Sequence, residues 1–168
     1  TRIKSEAEAT DELWHEIRNA YRTRRILTGT LDGIEQTAGG KTLATVSFRG
    51  FRIAIPIREM LVLEDRMPSG RAYADYMNRL NRILGTMLGA EIDFIVKGID
   101  STTHSAVASR REAMLRKRQT FYLGKDVSGN PYIYPGRLVE ARVIAVAEKV
   151  LRVEAFGIEC AIFARDLS

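Results

Sequence analysis

Apolar and polar residues alternate with a period of two over much of the chain, and three segments break that rhythm with a helical period. Ile26–Ile34, Thr42–Phe48 and Phe51–Pro56 read as strands. Gly39-Gly40 and Arg49-Gly50 supply the turns between them, and Arg-Gly between two alternating runs is a hairpin signal. Residues 57–63 continue as a short helical turn or an extended connection. Ile92, Phe94 and Val96 alternate into an Ile99-Asp100 turn, and Ala106-Val107-Ala108 forms a second short strand beyond it. From Arg137 the pattern returns: 137–147, 151–156 and 158–163 alternate, with Gly157 at a turn.

The helical segments are 5–23, 71–88 and 109–119. In the first, Leu13, Trp14, Ile17 and Tyr21 share a face, acidic residues crowd the first half and arginines follow the end, as the helix dipole favours. That apolar face is expected to dock on the first β unit. In the second, Tyr73, Tyr76, Met77, Leu80, Ile83, Leu84, Met87 and Leu88 form one stripe, after a Pro68-Ser69-Gly70 breaker. The third is strongly basic, with Ser109 placed as its N-cap. Residues 120–136 are rich in Gly, Pro and Tyr and read as a linker or an ordered crossover.

The order strand, turn, strand, Gly turn, strand occurs twice, at 26–56 and again from 137 to 163. Ser47–Pro56 parallels Glu154–Phe163, and Arg58-Glu59-Met60 parallels Arg165-Asp166-Leu167. This is an internal repeat with a period of about 110 residues, whose second copy stops after three strands. Three strands leave unpaired edges, so this copy either continues further or folds onto something else. The chain starts at Thr1 and its last residues cut into a strand pattern, which implies a fragment or processed chain.

Several motifs together resemble tandem S1-type domains, the RNA-binding OB barrels named after ribosomal protein S1. They are Gly29, Gly50, Ile55-Pro56 with Glu59, Gly89 three residues before Ile92, Ile99-Asp100 and Ser109-Arg110-Arg111. The resemblance implies a mainly β fold with helices: a five-stranded S1/OB barrel over 25–118 carrying a helical insert at 64–88. An N-terminal helix at 1–24 precedes it, and a linker at 119–134 leads to a partial S1-like unit at 135–168. A helix between the third and fourth strands of an OB barrel commonly closes one end of it.

The function implied is non-catalytic binding of single-stranded RNA, and the resemblance carries Asp100 over to the binding surface. The family's aromatic platform departs here: its strand-three position becomes Ala54, or Ala161 in the second copy, and its strand-two position falls near Thr42 or Leu43. A basic residue that often follows the acidic turn is replaced by His104 and Ser105. The loss of stacking removes about 1–3 kcal/mol per base. Contacts would then be mainly electrostatic, from Arg49, Arg52, Lys97, Arg110 and Arg111, with Phe51, Asp100 and His104 completing the candidate surface. Phe48 and Phe51 flank two arginines, and alternation places one of the pair in the core.

Composition agrees without deciding. The 168 residues are 45% hydrophobic, enough for a packed core, and 26 Lys+Arg against 21 Asp+Glu leave a net charge of +5. That excess favours polyanionic partners mildly. Cys160 is the lone cysteine, so no internal disulfide is possible, and its alternating run predicts a buried thiol. One thiol and no apolar run near a membrane-span length point to a cytoplasmic protein with no membrane contact.

No catalytic constellation, metal or cofactor site is expected. His15 and His104 stand alone, and Gly39-Gly40-Lys41-Thr42 lacks the first glycine of a phosphate loop and a following helix. A competing reading is an adaptor. The β units would then be scaffold, and the N-terminal helix or a barrel edge would dock on a ribosome-like or other large assembly.

Overall fold

A computed structural model describes residues 5–62 and 68–167. The start of the expected insert, 64–67, lies outside the described residues. Helix α1 (Glu6–Thr23) begins at the Ser5 N-cap, whose hydroxyl accepts from the Glu8 amide at 3.2 Å, and ends at Arg24 in the left-handed conformation. Strands β1 (Ile26–Gln36), β2 (Thr42–Phe48) and β3 (Phe51–Pro56) follow as an antiparallel meander. A single 3-10 turn, Ile57–Glu59, fills the connection after β3. Helix α2 (Arg71–Thr86) precedes β4 (Glu91–Asp100) and β5 (Ser105–Ser109).

These five strands close into a barrel of order β1-β2-β3-β5-β4. β1 pairs antiparallel with β4, and β3 pairs parallel with β5. The mixed closed barrel with a helix between its third and fourth strands is consistent with an OB-like fold. Inward positions carry the alternating apolar residues: Leu31, Ala44, Val46, Ile53, Ile55, Phe94 and Val96 are fully buried. Phe48 and Phe51, opposite each other at the β2–β3 turn, are both buried, so both aromatics belong to the core.

Helix α1 lays Trp14, Ile17 and Ala20 on this barrel, as its apolar face predicts. The α2 stripe is used only in part. Leu80, Leu84 and Met87 join the barrel core, while Tyr73 and Leu88 stay exposed.

Gly29 marks the tightest approach inside the barrel. A Cβ there would stand 2.7 Å from a Val46 methyl and 2.8 Å from the Ser47 carbonyl oxygen, with the Phe94 ring at 3.2 Å. Gly29→Ala is expected to destabilise the fold by about 1–3 kcal/mol through overpacking, read as a lower urea midpoint at unchanged m-value.

Helix α3 (Arg110–Phe121) starts at Ser109, whose Oγ accepts from the Glu112 amide at 3.0 Å and donates to Glu59 Oε2. Beyond it, 122–141 holds only an isolated bridge, Lys125 with Pro131, among the described residues. Strands β6 (Arg142–Val146), β7 (Val150–Ala155) and β8 (Ile158–Phe163) then form a separate three-stranded antiparallel sheet, followed by a 3-10 turn at Ala164–Asp166.

Two backbone features recur in both three-strand meanders. Arg49-Gly50 and Phe156-Gly157 both take positive φ at two consecutive residues, the signature of a type I′ hairpin turn. β1 slips register between Leu31 and Gly33, β6 between Val143 and Ala145. The first strand of the second copy is shorter than the alternation of 137–147 predicts, because it starts only at Arg142. In the first copy, Ile26–Thr30 is a strand by pairing with β4. Residues 138–141 occupy the same place in the repeat and have no such partner, so their backbone stays irregular.

Candidate nucleic-acid interface

The residues expected to contact RNA do not form one surface. Arg49 and Gly50 make the β2–β3 turn, and Arg49 Nε lies 3.1 Å from Glu16 Oε2 of α1. Arg52 points outward from β3 and is ion-paired with Glu35 of β1. Lys97 on β4 is exposed and pairs with Glu112 at 2.8 Å. Asp100 turns inward on its own loop, its Oδ1 accepting from the Thr102 amide at 2.9 Å.

Phe51 and His104 are used to seat α1. The Trp14 ring meets Phe51 edge-on at 5.4 Å and lies against His104 at 5.1 Å, and its indole N–H donates to Ser101 Oγ at 3.3 Å. Aromatics that could have received bases at this end of the barrel are covered by the helix.

Arg110 corrects the expectation of a basic surface at the start of α3. It is 2% exposed. Its Nη1 donates to the Met60 carbonyl at 2.9 Å and its Nη2 to Glu159 of β8 at 2.7 Å. Arg111 beside it is half-buried. The basic character of α3 serves the second sheet instead. Lys117 Nζ bridges Asp93 of β4 at 2.7 Å and Glu154 of β7 at 2.6 Å, and Arg142 of β6 donates to Asp93 Oδ1 at 2.9 Å. Arg118 Nε donates to the Gly157 carbonyl at 2.7 Å. Both faces of β4 are therefore buried, with Phe94 toward the barrel and Asp93 and Ile95 toward α3 and the second sheet.

Burial by itself would push the Asp93 carboxyl up. Hydrogen bonds from Lys117, Thr28 and Arg142, together with the Lys117 charge, outweigh it and hold Asp93 below its ordinary 3.8. Asp93 carries the network, and a lone acid in an alternating strand gave no signal of this in the sequence.

The outward face of β2 and β3 holds no aromatic side chain: Leu43 lies opposite Pro56, Thr45 opposite Ala54 and Ser47 opposite Arg52. A shallow groove at its turn end is lined by Asp32, Glu35, Thr45, Ser47, Gly50, the edge of buried Phe51, and Arg52, with Thr45 donating to Asp32 at 3.0 Å. Two carboxylates on this face disfavour a phosphate track there.

The open basic surface is on α1. His15, Arg18, Arg22 and Arg25 are exposed and line a groove of about 730 Å³ with Glu16, Asn19, Tyr21 and Ile99. Spacings of three and four residues put His15, Arg18 and Arg22 along one side of the helix, next to the face that buries Trp14 and Ile17, and Arg25 follows its left-handed end. Ile99 places the groove beside the β4–β5 turn. Among the described residues, Glu16 is the only acid lining it, shared between Arg49 and Arg25, the latter at 3.7 Å. Arg18 has no ion-pair partner among the described residues. The arginine spacing was available in the sequence, but its apolar face drew the reading to docking.

No protein-family model and no curated protein sequence matches this chain. No three His, Cys, Asp or Glu side chains gather as metal ligands among the described residues, and no described helix is long and apolar enough to cross a membrane.

Cys160 is exposed, against the expectation of a core thiol. It sits at the β8 position that corresponds to Ile53 of β3, on the face that would be interior in a closed barrel, and that face is open in the second sheet.

Proposed function

We propose that this chain is a non-catalytic module of S1/OB type that holds single-stranded RNA by its phosphate backbone. The observation that carries the reading is the α1 groove, where His15, Arg18, Arg22 and Arg25 line an exposed track beside the β4–β5 turn of the barrel. The aromatic-poor β2–β3 face leaves little for base stacking, so contacts would be electrostatic and sequence-tolerant.

Fluorescence anisotropy with a single-stranded oligonucleotide tests it at two salt concentrations. The affinity is expected to fall with a log–log slope of about −0.7 per phosphate contacted. Arg18→Glu with Arg22→Glu is expected to weaken binding at least tenfold, whereas Arg52→Glu on the acid-lined face changes it less than twofold. A salt-independent affinity, or one unmoved by the α1 pair, would remove this reading.

A second reading, a protein-interaction adaptor, is favoured by one feature. The second sheet leaves Val143, Val146 and Ile158 exposed on one face.

A further inference from the structure

Helix α3 and the second sheet meet along a seam that opens into a cleft of about 340 Å³, within the range of small-ligand sites. It shares no residue with the α1 groove. Its apolar wall is Phe121 of α3 and Phe156 of the β7–β8 turn, both half-buried, with ring centroids 4.5 Å apart. Tyr132 meets Phe121 edge-on at 5.9 Å and Tyr122 meets Phe156 edge-on at 6.4 Å, so the segment 122–141 braces this wall. The exposed Arg137 brings its guanidinium to 5.9 Å from the centre of the Phe156 ring.

The polar wall is unevenly satisfied. Glu154 is 4% exposed, and its Oε1 accepts from Lys117 Nζ at 2.6 Å and from the Gly157 amide at 2.7 Å. Its Oε2 accepts no hydrogen bond among the described residues. Arg142 gives Nη1 to Asp93 and keeps Nε and Nη2 to spare. Glu140 is exposed and has no ion pair among the described residues. Packing accounts for the two phenylalanines but not for the idle oxygen, since buried polar atoms are as a rule hydrogen-bonded.

The cleft thus joins a flat aromatic wall to one free donor group and two free acceptors. The complement is a flat ring with one acceptor beside two donors. Among the nucleobases guanine has that edge: O6 accepts, while N1–H and the N2 amine donate. Adenine and cytosine set a ring-nitrogen acceptor beside their single amine, and uracil has one N–H between two carbonyls. Each of these would turn an acceptor toward a carboxylate.

We propose that the cleft takes a guanine base. The base stacks on the Phe121–Phe156 wall, N1–H donates to Glu154 Oε2, the N2 amine donates to Glu140, and O6 accepts from Arg142. Arg137, beside the wall, meets the phosphate of the nucleotide. Recognition of the base rests on the cleft alone. That the base belongs to single-stranded RNA rests on the function proposed above, and it supplies the stacking site that the β2–β3 face lacks.

The full chain is titrated with guanosine, inosine and adenosine monophosphates by calorimetry and hydrogen exchange. Inosine is guanosine without the N2 amine. The guanosine nucleotide is expected to bind at least about tenfold more tightly than the other two and to protect 117–121 and 154–157. Glu140→Ala, at an exposed position, erases the difference between guanosine and inosine. A U-rich single strand with one central guanine, compared with inosine or adenine at that place, identifies the source. A preference in the strand without binding of the free nucleotide assigns an RNA base, and the reverse assigns a free nucleotide.

Arg18→Glu with Arg22→Glu lowers strand affinity and leaves the guanine-to-inosine ratio unchanged. Strand affinity unmoved by that pair removes the RNA reading, while a guanosine nucleotide that still binds keeps the cleft. No guanine preference in either arm overturns the proposal. A preference unmoved by Glu140→Ala, or protection outside the cleft, overturns it as well.

Discussion

Asp93→Ala is expected to destabilise the protein by about 3–5 kcal/mol, because it leaves the Lys117 ammonium and the Arg142 guanidinium without the carboxylate that compensates them. Asp93 also accepts from Thr28 at 2.6 Å, so the same change orphans a hydroxyl on β1. Urea denaturation measures the loss, and a cycle with Lys117→Met separates the pair energy from the cavity. A change below 1 kcal/mol would mean that water replaces the carboxylate.

The same residue predicts the acid limb of stability. Its folded pKa is depressed below 3.8, so the ionised form is bound more tightly in the folded state. The resulting stability is fully present well above 3.8 and is lost as pH falls through the lower folded value. Asp93→Asn should therefore be less stable at neutral pH and show a shallower fall in stability below about pH 4.

Gly157→Ala is the second large effect, and Gly50→Ala is its internal control. Both glycines hold φ near +90°, at +89° and +86°, and both end a two-residue hairpin turn. A Cβ on Gly50 meets nothing within 4 Å. A Cβ on Gly157 would overlap the Met114 carbonyl oxygen and stand 3.1 Å from the Arg118 side chain, since the β7–β8 turn is pressed onto α3. Gly50→Ala should cost only the left-handed strain, about 1–2 kcal/mol. Gly157→Ala should cost that plus an overpacking penalty of about 1–3 kcal/mol. The excess measures how firmly the second sheet is seated on α3. Hydrogen exchange should locate it in 150–163 rather than in the first barrel. Equal costs at the two sites would mean that the turn moves off the helix freely.

Charge pairs and apolar contacts both seat the second sheet, the Phe156 ring lying 4.5 Å from that of Phe121 on α3. Ile144 and Ala145 are buried in it, yet the specific partners are Arg110 with Glu159, Lys117 with Glu154, and Arg142 with Asp93. Such pairs fix orientation, while their net stabilisation is small after desolvation.

Local periodicity was sufficient for β2, β3 and β8, for Ser5–Thr23 with its capped helix, and for Ser109 as the cap of α3. Those features depend on neighbours within a few residues: alternation, a turn glycine, a hydroxyl beside amides that need a partner. The Arg49-Gly50 and Phe156-Gly157 turns were legible for the same reason, since they carry the glycines that positive φ demands.

Three outcomes were decided only by tertiary structure. Arginine at a helix start reads as solvated, but Arg110 is buried because β8 brings Glu159 to it. Cysteine in an alternating strand reads as core, but Cys160 is exposed because, among the described residues, its sheet has three strands and no further strand closes over them. Alternation from 137 onward reads as a strand, but among the described residues 138–141 has no partner backbone to pair with. Sequence pattern states which face of a segment is apolar. Whether that face is buried, and whether a buried charge is paired, depends on segments far away in the chain that pattern alone does not bring together.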